Sequence, residues 1–156
     1  MVILDSDIII DHLRQPKNTL SIYSRLVKSY APNQIFISTI SIQELFQGNS
    51  SLNATKLKDI VSFLNQHPHL PYTKPIAKLA GEINRDLTIP IGFADAAIAA
   101  TAIVNDCHLL TLNTKHFAKI PHLKLLLVPL PPTSQTSPAV TADSTAIARA
   151  PISTTT

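Results

Sequence analysis

The chain opens on three consecutive apolar residues, Val2-Ile3-Leu4, that stop at Asp5. So short a run, with no polar position inside it, suits a strand buried on both faces of a parallel sheet. Ile8 to Leu13 continues as a short helix until Pro16, whose ring cannot extend one. Leu20, Tyr23, Leu26, Val27 and Tyr30 recur at helical spacing, Pro32 and Asn33 break the pattern, and Ile35-Phe36-Ile37 reads as a second strand. Ser41 to Gln47 turns helical again. Leu57, Ile60, Val61 and Leu64 mark a further helix, and Ile76, Leu79, Ala80, Ile83 and Leu87 mark the next, with Pro75 in its first turn. These two helices are expected to pair. After Pro90, Ala94 to Val104 is small and apolar nearly all round, as a buried helix would be. Leu109 to Leu112 predicts a third strand and Leu123 to Val128 a fourth.

Strands alternating with helices imply right-handed crossovers and a sheet covered on both faces. The expected fold is therefore a three-layer α/β/α domain with a mostly parallel central sheet over residues 1–130, its ligands at the carboxyl ends of the strands. From Pro131 the periodicity dissolves: 11 of the last 26 residues are Ser or Thr, so 131–156 reads as a disordered Pro/Ser/Thr-rich tail. A length of 156 residues suits one domain, and 45% hydrophobic residues suffice for its core.

The single cysteine, Cys107, excludes an intramolecular disulfide scaffold and a Cys-based zinc finger, and reads as a small buried hydrophobe. The first segment lacks a basic stretch and is cut by Asp5, Asp7 and Asp11, so neither a signal peptide nor a membrane span is expected there. A soluble cytoplasmic protein follows as the expectation.

Charge sharpens the picture. Of the acids, 9 fall within residues 1–130, and Asp5, Glu44 and Asp95 all map near the carboxyl edge of the predicted sheet. Each has a plain structural reading. Asp5 or Asp7 can cap the first helix. Glu44 closes a Ser-x-x-Glu capping box with Ser41. Asp95 can complement a helix dipole. Yet three unpaired carboxylates in one crevice would repel one another and raise each other's pKa, a conflict that a divalent cation removes. All-oxygen ligation favours Mg²⁺ or Mn²⁺, which can activate water and stabilise charge on a scissile phosphate. With those three acids set aside, 12 bases face 6 acids in the domain, a balance that favours a nucleic-acid partner.

The segments LDSDIIIDHL, ISTISIQELFQG and IPIGFADAAIAATAIVNDCHLLTLNTKHFAKIPHLKLL, in this order, resemble a PIN domain, and more narrowly the VapC-type toxins of bacterial toxin–antitoxin pairs. The likeness runs from about residue 2 to 128. It implies a Mg²⁺-dependent endoribonuclease acting on RNA, held inactive by a VapB-like antitoxin and commonly a homodimer. Asp5, Glu44 and Asp95 take the positions of the metal-binding acids, with Ser6, Asp7, Thr111 and Asn113 as supporting residues. The fourth acidic position of such domains is Asn113 here, so either Asp7 compensates or one metal suffices. Lys115 and His116, in the loop after the third strand, are candidates for RNA-backbone contact.

Other readings carry less. The Asp-x-Asp after a hydrophobic strand also resembles a haloacid-dehalogenase-type phosphatase, but after Asp95 the domain offers only Asp106 for the later acidic pair. His67 and His69 are placed in a loop, and His12 is expected to pack or cap. A PIN-like module that binds without cutting is the main alternative, with Asn113 as its support.

Overall fold

The computed structural model describes residues 1–16 and 20–128, so the expected tail at 131–156 lies outside the described residues. Strand β1 (Val2–Leu4) leads into α1 (Ser6–Arg14), then α2 (Ile22–Leu26), β2 (Ile35–Ser38) and α3 (Thr39–Gln47). There follow α4 (Ala54–Leu64), β3 (His69–Leu70), α5 (Lys74–Asp86), α6 (Phe93–Val104), β4 (His108–Leu110), α7 (Thr114–Phe117) and β5 (Lys124–Leu125). The five strands run parallel in the order β3-β2-β1-β4-β5, with Val2 in register with Ile35 on one side and His108 on the other. The expected three-layer α/β/α architecture is present.

Alternation along β1 separates two cores, because successive side chains leave a strand on opposite faces. Ile3 joins Ile76, Ala80 and Ile83 of α5 and the Ala96–Ala100 stretch of α6. Val2 and Leu4 join Ile8 and Ile9 of α1, Leu26 of α2 and Ile60, Phe63 and Leu64 of α4. The short, all-apolar strand therefore reflects burial on both sides.

That division corrects the expected pairing of α4 with α5. The two helices pack on opposite faces, and α5 lies along α6 instead. An apolar stripe shows that a helix has a buried face, without saying which layer receives it. The chain changes sides through β3, where the sequence placed a loop. This edge strand is only two residues long, His69 and Leu70, set against Ile37 and Ser38. Its pairing is fixed by backbone bonding and carries no apolar run to announce it.

Ser41 is not a cap. The N-cap of α3 is Ser38, whose Oγ accepts from the Ile40 N–H at 3.1 Å, while Ser41 is fully buried inside the helix. The predicted capping box with Glu44 is therefore absent, and Glu44 is left for other contacts. The helix expected over Leu20 to Tyr30 shortens to α2, capped by Ser21, and α7 forms where a loop was expected. Cys107 is buried as expected. Among the described residues, no helix is long and apolar enough to cross a membrane.

Candidate active site

Four chain segments meet at the carboxyl edge. Asp5 directly follows β1 and caps α1, its Oδ1 accepting from the Ser6 N–H at 2.7 Å. Its plain structural reading is thus correct, and it still leaves Oδ2, which accepts from the Thr111 hydroxyl at 2.7 Å. Thr111 stands just past β4, the neighbouring strand, so parallel register alone brings it to Asp5 across 106 positions of sequence.

Asp7, one residue into the same helix, has its Oδ2 within 3.2 Å of the Thr111 hydroxyl and 3.0 Å of the Leu112 N–H. The Thr111 oxygen also accepts from the Asn113 N–H at 2.9 Å. One hydroxyl therefore ties the loop after β4 to both aspartates. Asp7 Oδ1 is buried without a partner. The sequence marked Thr111 as supporting, but its contact with the two acids rests on sheet register that no local pattern records.

Glu44 projects from α3 and is half-buried, with Oε2 buried and unpartnered. Burial raises its carboxyl above the ordinary range, a hydrogen bond from Ser6 partly offsets this, and the charges of Asp95 and Asp7 raise it again. Ser6 therefore lies within reach of both Asp5 and Glu44.

Asp95 lies in the first turn of α6, its carboxylate beside the α6 N-cap Gly92: a Cβ added at that glycine would sit 3.7 Å from Asp95 Oδ2. Burial raises this carboxyl too, and nearby His116 draws it partly back. His116 Nδ1 is 2.9 Å from Asn113 Nδ2, so the Asn113 amide is engaged by the next turn of its own segment. Lys115 is exposed.

The electrostatics fit a missing counter-charge. Asp5, only 5% exposed, is pushed up to about 7, first by burial and then by the charges of Asp7 and Asp95. Asp7 is raised as well, mainly by burial. The three ion pairs found among the described residues are Lys78–Glu82, Arg85–Asp86 and Lys124–Asp106, and none involves a crevice acid. Two orphaned carboxylate oxygens, oxygen-only donors and no ion pair to these acids among the described residues suit a hard divalent ion. Among the described residues, no three acidic, histidine or cysteine side chains close around one point. The residues accordingly fit an ion held directly by one or two carboxylates, with water and phosphate completing its shell, as Mg²⁺ is commonly bound.

The family profile of the PIN domain matches residues 2–123, which span the parallel sheet and the segments around its acidic crevice. The chain belongs to the PIN domain family. Within it, the chain is similar to ribonuclease VapC10 of Mycobacterium tuberculosis, 33% identical over 127 residues that cover 80% of this chain and 91% of VapC10. Ribonuclease VapC19 of the same organism is 30% identical over 127 residues, covering 80% and 98% of the two chains. Among solved structures, VapBC2 of Rickettsia felis bound to a promoter DNA fragment aligns with a TM-score of 0.70 and 28% identity, over 81% of this chain and 98% of that one.

Proposed function

We propose that this chain is a divalent-metal-dependent endoribonuclease, the toxin of a toxin–antitoxin pair, that cuts RNA by hydrolysis at the crevice of Asp5, Glu44 and Asp95. The observation that carries the reading is the gathering of mutually repelling carboxyls, none in an ion pair among the described residues and two with buried, unpartnered oxygens. Mg²⁺ or Mn²⁺ bound there supplies charge neutralisation, a lowered pKa for water and stabilisation of charge on the phosphate.

The chain's own residues do the rest. Asp5 and Asp95 are the metal ligands, and Thr111 fixes Asp5 in place through its hydroxyl. Glu44 offers Oε2 to orient the attacking water. Asp7 is held by Thr111 and the Leu112 N–H, and its Oδ1 faces the same need for a cation. With Asn113 turned to His116, Asp7 is the better candidate for the support that a fourth acid would give. Lys115 is a candidate contact for the RNA backbone. The products are a 5′-phosphate and a 3′-hydroxyl. Named VapC ribonucleases and VapBC complexes among the relatives support RNA as substrate and a small VapB-like antitoxin as partner. A homodimer is the proposed assembly.

The test uses purified, antitoxin-free protein on total RNA in Mg²⁺ or EDTA, beside Asp95→Asn, with mapping of new 5′ ends. Discrete cuts that need Mg²⁺ and fall at least about a hundredfold in the variant are expected. Cuts ending in a 2′,3′-cyclic phosphate would refute the hydrolytic mechanism. A folded protein that cuts nothing would favour a binding module, the reading to which Asn113 points.

A further inference from the structure

We propose that Phe93, braced edge-on by Tyr72, is a stacking platform for an unpaired RNA base next to the scissile phosphate; this rests on the ribonuclease reading above. Phe93 opens α6 and is 63% exposed, whereas Phe63 and Phe117 are buried. It belongs to neither core. Its ring meets Tyr72 in a T-shaped contact, with centroids 6.0 Å apart and planes at 71°.

Tyr72 is anchored from the other side. It packs on the core of α5 and α6, and its backbone N–H donates to Thr39 Oγ1 at 3.0 Å. Thr39 begins α3, the helix that carries Glu44. The chain neighbour of Phe93, Gly92, runs alongside the Asp95 carboxylate. The exposed ring therefore sits at the start of the helix that carries Asp95, braced by an aromatic tied to the start of the helix that carries Glu44.

An exposed phenylalanine leaves apolar surface in water that packing would have recovered. A nucleobase recovers it with a π-face of matching shape, and every base has one, so such a platform tolerates many sequences. It requires a base free of its helical stack, which selects single-stranded segments over duplex at the cut. Charge is complementary: Lys74, two residues beyond Tyr72, is exposed and enters no ion pair among the described residues, as suits a neighbouring backbone phosphate.

The test is a double-substitution cycle on kcat/KM with single-stranded RNA spanning a mapped cut, in Mg²⁺. Phe93→Leu keeps the apolar bulk and removes the π-face; Phe93→Tyr keeps both. Abasic nucleotides are placed one at a time on either side of the cut. Phe93→Leu is expected to lower kcat/KM about 5- to 150-fold, mostly through KM, with Phe93→Tyr close to the parent. One abasic position should cost the parent a similar factor and cost Phe93→Leu nothing further. Equal cutting by the parent and Phe93→Leu, or losses that simply multiply, would overturn the platform and leave the ribonuclease reading standing. A parent that cuts no RNA removes that reading, and the platform with it. If Phe93→Leu changes the sedimentation coefficient and not KM, the ring covers a protein interface and the proposal fails. Unchanged melting of the exposed-site variants separates all of these from misfolding.

Discussion

Two groups of buried polar side chains adjoin α1, one on its outer side and one at its N-terminus. In the first, the His12 and Tyr23 rings meet at a tilt with centroids 4.5 Å apart, and both contact Phe63. His12 Nδ1 meets Ser21 Oγ at 2.7 Å, and Tyr23 OH meets His67 Nε2 at 2.9 Å. His67 Nδ1 faces the Pro32 carbonyl at 3.4 Å. A carbonyl only accepts, so Nδ1 carries the hydrogen; burial lowers the His67 pKa and favours the neutral ring, in which Nε2 accepts from the tyrosine hydroxyl. No buried side-chain atom of this group is left without a partner. In the second group burial acts on carboxylates that repel one another, and Asp7 Oδ1 and Glu44 Oε2 remain unpartnered. Burial alone thus does not mark a functional site. The mark is a gathering of carboxylates that the fold removes from water without pairing, whereas a lone amide oxygen such as Gln15 Oε1 is also left buried and unpartnered away from the crevice.

If that contrast is right, damage to the first group should cost stability and spare the chemistry. Phe63→Ala removes a ring shared by His12, Tyr23 and His67, and is expected to cost up to about 5 kcal/mol in urea unfolding. The fraction that stays folded should cut RNA at the parent rate. Loss of cutting in folded protein would show that the two groups are coupled through α1.

The crevice should respond in the opposite sense. The Asp5 carboxyl is raised from 3.8 unfolded to about 7 folded, so its favourable contribution is complete below about pH 4 and is lost as pH rises through about 7. At about 1.4 kcal/mol per unit, ionisation of this one group removes about 4 kcal/mol. Asp5→Asn, measured in EDTA, should therefore be more stable than the parent above pH 7 and lose that advantage toward pH 4. His12 and His67, whose pKa values are lowered by burial, act the other way: their contribution is present above about 6.5 and is lost as pH falls. The difference between parent and variant isolates the aspartate. A difference independent of pH would mean that Asp5 is ionised at no cost and the crevice is not frustrated.

The smallest expected effect is the sharpest discriminator. Tyr23→Phe leaves His67 Nε2 buried with no donor, at a cost of about 1 to 2 kcal/mol and no change in cutting. A neutral result would show that water reaches His67 and that this group is less closed than its contacts imply.

Much of this was legible along the chain because local chemistry carries it. The run Val2-Ile3-Leu4 announces a strand buried on both faces, and Asp5, Glu44 and Asp95 can be ranked by type and place without coordinates. The alanine-rich α6 is buried as its composition requires. What was misread shares one cause. Ser41 has the spacing of a cap, yet Ser38 takes that role, because the helix begins where β2 ends and pairing sets that end. The two-residue β3 has no periodicity to show, and without it α4 and α5 looked adjacent.

The sequence by itself determined the alternation of strand and helix, the acids available and the excess of bases elsewhere on the domain, since these follow from residue type and spacing. Only the tertiary structure decided that one threonine hydroxyl would hold Asp5 and Asp7 together, that Asn113 would turn to His116, and that Phe93 would stay in water at the start of the helix carrying Asp95. Those outcomes depend on parallel register and on which layer each helix joins, and both are set by contacts between residues far apart in the chain.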